Sequence, residues 1–184
     1  MFKPLKFQEN NLLINSLVFV IIFLGFVFRF YNINYENLWL DEIYSFWVTD
    51  PSLSFAETQL RVQSAEATPF LYFYLVKICN KIFGYDPIVG RCFSAFFGFL
   101  SIFSVSILCK KITKNKSYLF ATCLISLNIF LNVNSQEMRV YIFTFFLISL
   151  SLIFFLNLYK EDKNKIFTKN FILFTFFIFI AILS

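Results

Sequence analysis

The chain contains no histidine. That excludes every His-based catalytic dyad and the usual zinc ligand sets. Cysteine is sparse, and Cys79, Cys92, Cys109 and Cys123 show no C-x-x-C spacing. They read as small apolar packers and imply neither a disulfide nor a metal framework. Polar composition is low as well. Of 184 residues 59% are hydrophobic, 30 of them Phe, and mean hydropathy is +0.71. A soluble domain is excluded, because several near-continuous apolar runs approach the roughly 20 residues needed to cross a ~30 Å hydrocarbon core. The net charge of +5 does not indicate nucleic acid. Lysines concentrate in short loops between apolar runs, as a topology signal does.

Taken in order, Lys3 and Lys6 precede a first apolar run, Leu12 to Phe28, which places the N-terminus in the cytoplasm. The run lacks a small-residue cleavage site and reads as a retained helix. Residues 29–68 carry the acids Glu36, Asp41, Glu42, Asp50, Glu57 and Glu66 against Arg29 and Arg61, with no Lys, as an outer loop would. Pro69 to Phe83 reaches only about 22 Å as a helix, too short for a crossing. It also sets Lys77, Asn80 and Lys81 on one face, so an interfacial helix is expected. Further runs follow at Arg91–Cys109, Tyr118–Val133, Tyr141–Leu158 and Phe171–Ser184. KKITKNK follows the first of these and YKEDKNK the third, so both of those loops belong inside and Asn134–Arg139 outside. By parity, residues 30–90 begin and end on the outer side.

These runs predict an all-α polytopic membrane protein of about five transmembrane helices, with two juxtamembrane helices in the loop 30–90. Residues 1–184 form a single membrane-embedded domain in the cell (inner) membrane. The last run stops after 14 residues without a basic cap. This points to the N-terminal part of a longer protein.

The stretch Asn37–Trp47, NLWLDEIYSFW, is polar at its centre and aromatic at its flanks. At 100° per residue, Trp39, Ile43, Phe46 and Trp47 share one face. Asp41, Tyr44 and Ser45 fall opposite, with Glu42 at the border. A helix of this kind lies on a membrane surface with its rings down and Asp41 towards water or a cavity. An interfacial anchor with solvated acids is the plain alternative. The topology collects Asp41, Glu42, Glu66, Lys77, Lys81, Arg91, Gln136, Glu137 and Arg139 on one membrane face. Charges beside hydrocarbon are costly, so their convergence favours a function; polar loops and snorkelling arginines are the competing explanation.

The motif series RFYN…NLWLDEIYS, EATPFLYFYL…IFG, GRCFSAFFG and SQEMRVY resembles the GT-C superfamily of membrane glycosyltransferases that use polyprenyl-phosphate sugars. The branch is that of protein O-mannosyltransferases and lipid A aminoarabinose transferases, and the resemblance covers roughly residues 29–158. It implies two juxtamembrane helices in the first outer loop and a catalytic acid at Asp41. A second family acid matches Glu66, and the arginine of R-x-x-S-A-x-x-G matches Arg91, with Ser94 and Gly98 in place. The sequence departs from the family where Thr68-Pro69 stands for a proline pair and Ala67 for a basic residue or histidine.

The resemblance implies sugar transfer from a polyprenyl-phosphate donor to a hydroxyl of a lipid, glycan or protein acceptor on the outer face. A carboxylate base suits such an attack, with Asp41 as candidate and Glu66 as its catalytic companion. Departing phosphate requires positive charge. Arg91, Lys77 and Lys81 are candidates for that role, with Glu42, Tyr44, Glu137 and Arg139 as further substrate-binding residues. Asp41 with Glu66 alternatively holds Mg²⁺ or Mn²⁺, which suit oxygen ligands. Two rivals remain open: a cation-coupled transporter-like protein, and a non-catalytic truncated transferase remnant. Against the transporter, no apolar run is interrupted by Gly or Pro at mid-depth.

Overall fold

The computed structural model describes residues 11–65, 69–113, 116–160 and 168–184. Among them the chain is all-helical: α1 (Asn11–Phe30), α2 (Leu40–Val48), α3 (Phe55–Ala65), α4 (Leu71–Phe83), α5 (Pro87–Ile112), α6 (Ser117–Leu127), α7 (Ile129–Gln136), α8 (Tyr141–Tyr159) and α9 (Lys169–Leu183). Helix α5 is central: α1, α4, α6, α7 and α8 all pack on it, and α9 packs on α8 and touches α4.

Local chemistry explains where the principal helices start and stop. Asp86 accepts the Ile88 N–H at 2.9 Å and Pro87 fills the first position of α5, while Lys110 and Lys111 sit in its last turn against the helix dipole. Ser54 and Glu57 form a reciprocal capping box on α3, each side chain accepting the other's backbone N–H. Gly84, at φ +106°, ends α4 in a conformation closed to most side chains.

Along α5 the buried residues include Gly90, Ser94, Ala95, Gly98, Ser101 and Ser104. This stripe of small side chains lets neighbouring helices approach closely. A Cβ at Gly98 would overlap the Ser135 side chain of α7, and one at Gly90 would overlap Met138. On the other side Phe93, Phe97, Phe143 and Tyr72 interlock with centroids 4.8–6.1 Å apart. Val48, Val62, Phe73, Val76 and Leu147 complete this core.

Among the described residues two helices, α5 and α8, are long and apolar enough to cross a membrane, and α6 with α7 forms a third candidate bent by 50°. The apolar stretch Ile14–Phe30 and helix α9 are shorter. The five expected crossings are therefore not of one kind. The expected straight run Tyr118–Val133 is broken because Asn128 leaves helical geometry and caps α7, accepting the Leu131 N–H at 3.0 Å. At the break Arg29, fully buried, donates to the carbonyls of Ile125 (3.0 Å) and Ser126 (3.4 Å) and to Gly25 O in its own helix (2.9 Å). A guanidinium at the C-terminal end of α6 satisfies carbonyls that the bend would otherwise orphan. Outward faces carry Phe19, Phe23, Phe120, Ile148, Phe155 and Phe179, all exposed, as lipid-facing surfaces do.

Candidate functional site

Of the polar residues expected on one face, Asp41, Glu42, Arg91, Gln136, Glu137 and Arg139 gather, at the junction of three chain segments: the first turn of α2, the first turns of α5, and the link between α7 and α8. The centre is an ion pair. Arg91 Nε donates to Glu42 Oε1 at 2.9 Å and Nη2 to Oε2 at 2.6 Å, with Glu42 only 1% exposed. Arg91 Nη1 donates to the carbonyls of Ile33 (3.1 Å) and Glu36 (2.9 Å). Glu42 Oε1 also accepts the Met138 N–H at 2.8 Å. A bidentate pair of this kind is rigid and directional, and here it ties the α1–α2 loop, α2, α5 and the α7–α8 link together.

This corrects two expectations. Glu42 is not at the border of an apolar face; it is a buried anchor held by Arg91. Arg91 was expected to meet a departing phosphate, but its Nε, Nη1 and Nη2 all donate within the protein. The helical-wheel reading failed because the buried face of α2 is chosen by a partner 49 residues away. Glu42, Ser45 and Val48 point inward, while Leu40, Ile43, Tyr44 and Trp47 are exposed. Tyr44 is thus on the outer side of α2, with no hydrogen bond to the described residues.

Asp41 is the more accessible acid, its side chain 41% exposed, and Arg139 Nη2 lies 3.8 Å from its Oδ2. Arg139 Nη1 donates to Asp41 O at 3.1 Å and Ser45 Oγ at 3.0 Å, so one guanidinium spans the first turn and a half of α2. Both carboxylates stand in the first turn of α2, where the helix dipole favours negative charge.

Glu137 is half-buried beside this centre. Its carboxyl pKa is raised, first by burial and then by the charge of Glu42, with Arg139 and Arg91 opposing. Its carboxylate makes no hydrogen bond or ion pair to the described residues. Glu137, Glu36, Glu42 and Arg91 line a cavity of about 370 Å³, together with Tyr31, Tyr35, Trp39 and Gln136. Gln136 Nε2 fixes the cavity wall by donating to Phe28 O (2.8 Å) and Tyr31 O (3.0 Å). Asp41 is not among the lining residues.

Two expected members lie elsewhere. Lys77 Nζ donates to Leu53 O and Thr58 Oγ1, both at 2.6 Å, and so fastens α4 to the start of α3. Burial lowers its pKa. This lysine is a brace, and its donors are spent on the loop. Lys81, one turn on, is exposed. Glu66, the expected second catalytic acid and metal ligand, lies outside the described residues. Only Asp41 of the expected metal pair is among the described residues. Among them no three acids or cysteines gather for a cation, Asp41 faces a guanidinium, and Glu42 is spent on Arg91.

Ser94 and Gly98 of the R-x-x-S-A-x-x-G motif also acquire physical roles. Ser94 Oγ hydrogen-bonds Tyr72 Oη at 2.8 Å, joining α5 to α4, and Gly98 admits α7. Sequence reasoning missed Ser45, the Met138 N–H and the aromatic lining of the cavity. Only fixed spacing to the DE pair could have signalled Ser45, and nothing in the sequence signals a backbone donor. Compared with protein-family models, curated proteins and solved structures, the chain matches none.

Proposed function

We propose that this protein is a membrane glycosyltransferase of the GT-C type, which moves a sugar from a polyprenyl-phosphate donor to an acceptor hydroxyl at the outer membrane face. The observation that carries the reading is the division of labour in the DE pair. Glu42 is buried and fixed by Arg91, whereas Asp41, the adjacent acid, is presented half-exposed beside Arg139. A carboxylate held in place by a rigid neighbour is what a positioned general base requires.

In the proposed reaction the acceptor oxygen attacks the anomeric carbon and forms the new glycosidic bond. Its proton passes to the Asp41 carboxylate. The bond between the anomeric carbon and the phosphate oxygen breaks, and its electron pair leaves with the lipid phosphate. Positive charge for that phosphate falls to Arg139, which lies against Asp41. The lipid tail stays in the bilayer beside α5 and α8. Tyr44, exposed on α2, faces the side from which substrate arrives. Arg91 is a positioning residue.

The test is transfer itself. Vesicles holding the protein are incubated with polyprenyl phosphates bearing different radiolabelled sugars, and labelled product and free lipid phosphate are counted. Release of lipid phosphate from one donor above protein-free vesicles is expected; no release from any donor would remove the proposal.

A further inference from the structure

We propose that the cavity between the α1–α2 loop and the end of α7 is a binding site for an organic ammonium group, held by the Glu36 and Glu137 carboxylates and the rings of Tyr31, Tyr35 and Trp39. The charge balance of its lining is the starting point. Among the described lining residues Arg91 is the only cation, and Glu42 neutralises it through two hydrogen bonds. Glu36 and Glu137 then leave the cavity with a negative surplus, so an anionic ligand is repelled and a cation attracted. Glu137 is half-buried with no hydrogen-bond or ion-pair partner among the described residues, and its carboxyl is raised from its ordinary value by burial and by Glu42, against the opposing charges of Arg139 and Arg91. A group in that position gains from an external cation.

The rings select the kind of cation. Tyr31, Tyr35 and Trp39 are exposed at 73%, 78% and 46% although they line a concave site. Aromatic faces attract ammonium groups and tolerate their alkyl substituents. A hard metal ion would instead need converging oxygen ligands, and no such group gathers among the described residues. Interfacial anchoring accounts for exposed rings, but it does not account for two unpaired carboxylates set among them. Ammonium of this kind is offered by a zwitterionic phospholipid headgroup or by a soluble amine. The inference is independent of the transferase reading: binding without transfer leaves it intact, and transfer without ammonium binding removes it alone.

The chain has two tryptophans, so Trp47→Phe leaves Trp39 as the sole reporter in the cavity. The purified protein in non-ionic detergent is titrated with choline, with its neutral isostere 3,3-dimethylbutan-1-ol, and with inorganic phosphate. A saturable change in Trp39 emission is expected with choline only. The Glu36→Gln/Glu137→Gln double variant should weaken it by about tenfold or more. Tyr35→Leu, in an exposed loop, should weaken it without disturbing the packed helices, and serves if the double variant does not fold. Reconstitution in phosphatidylethanolamine vesicles, compared with phosphatidylglycerol vesicles, separates the sources. Loss of the choline response only in the former identifies the headgroup, and persistence in both identifies a soluble amine. An equal response to the neutral isostere or to phosphate, no saturable response, or unchanged affinity in both variants would overturn the proposal.

Discussion

Arg91 and Glu42 meet through two parallel hydrogen bonds, 2.9 and 2.6 Å long, in a site from which water is almost fully excluded. The pair joins segments 49 residues apart and, through Met138 N, a third segment 96 residues from Glu42. Removing one partner leaves the other charge buried without compensation. Glu42→Gln and Arg91→Gln should each destabilise the protein by about 3–5 kcal/mol. The combined Glu42→Gln/Arg91→Gln variant should lose less than the two single losses added, because no charge is stranded. Denaturant unfolding in detergent checks this. Additive losses would show that the pair is not coupled.

Glu137 gives a pH dependence whose sign is fixed. Its folded-state pKa is raised, so the folded protein penalises the charged form. Stability from this group is highest below the unfolded value of about 4.3 and falls as pH rises towards the raised folded value. The groups facing it are Glu42 and Asp41 from α2, Arg91 from α5 and Arg139 from its own link. Glu137→Gln should therefore stabilise the protein at neutral pH, on the order of 0.5 kcal/mol, and have no such effect near pH 4. Unfolding midpoints at the two pH values decide it. Destabilisation at neutral pH would indicate an internal partner for the carboxylate.

Close helix approach at Gly98 is testable by size. Gly98→Ala brings a methyl group against Ser135 and within 3.2 Å of Arg29 Nε. Such overpacking should cost about 1–3 kcal/mol. Ser135→Gly, which removes the colliding side chain, should recover part of the loss. Gly98→Ala with unchanged stability would mean that α5 and α7 are further apart than described here.

Topology provides a separate check. If residues 30–90 lie wholly on one side, single cysteines at Gln63 and Lys81, in a protein freed of its four native cysteines, should label with an impermeant maleimide from the same outer side. Labelling of position 81 only after permeabilisation would mean that the 69–83 segment crosses.

Much of this arrangement was legible in the sequence. Apolar runs bounded by Lys-rich loops marked the long helices α5 and α8, and the shortness of Pro69–Phe83 set α4 apart from them. The gathering of the DE pair, Arg91 and the Gln136–Arg139 segment followed from putting loops on a common side. The assignment within the DE pair was not legible. Local periodicity treats Asp41 and Glu42 as near equals, and only the long-range reach of Arg91 decides which is buried. Lys77 was misread for a similar reason, since its partners are backbone carbonyls in a loop 24 residues earlier. The bend at Asn128 was hidden inside an apolar run, because one capping side chain and one distant arginine, Arg29, produce it.

The central claim is that Asp41, and not Glu42, performs the chemistry. Its most direct measurement is single-turnover transfer by Asp41→Asn, alongside donor binding, at protein levels in the membrane matched to the unsubstituted chain. Asn keeps the size and removes the charge. The account predicts a fall in the rate of about 10²–10⁴-fold with donor affinity and unfolding midpoint largely retained, a combination that the destabilised Glu42→Gln should not show. Transfer by Asp41→Asn at the unsubstituted rate would contradict it.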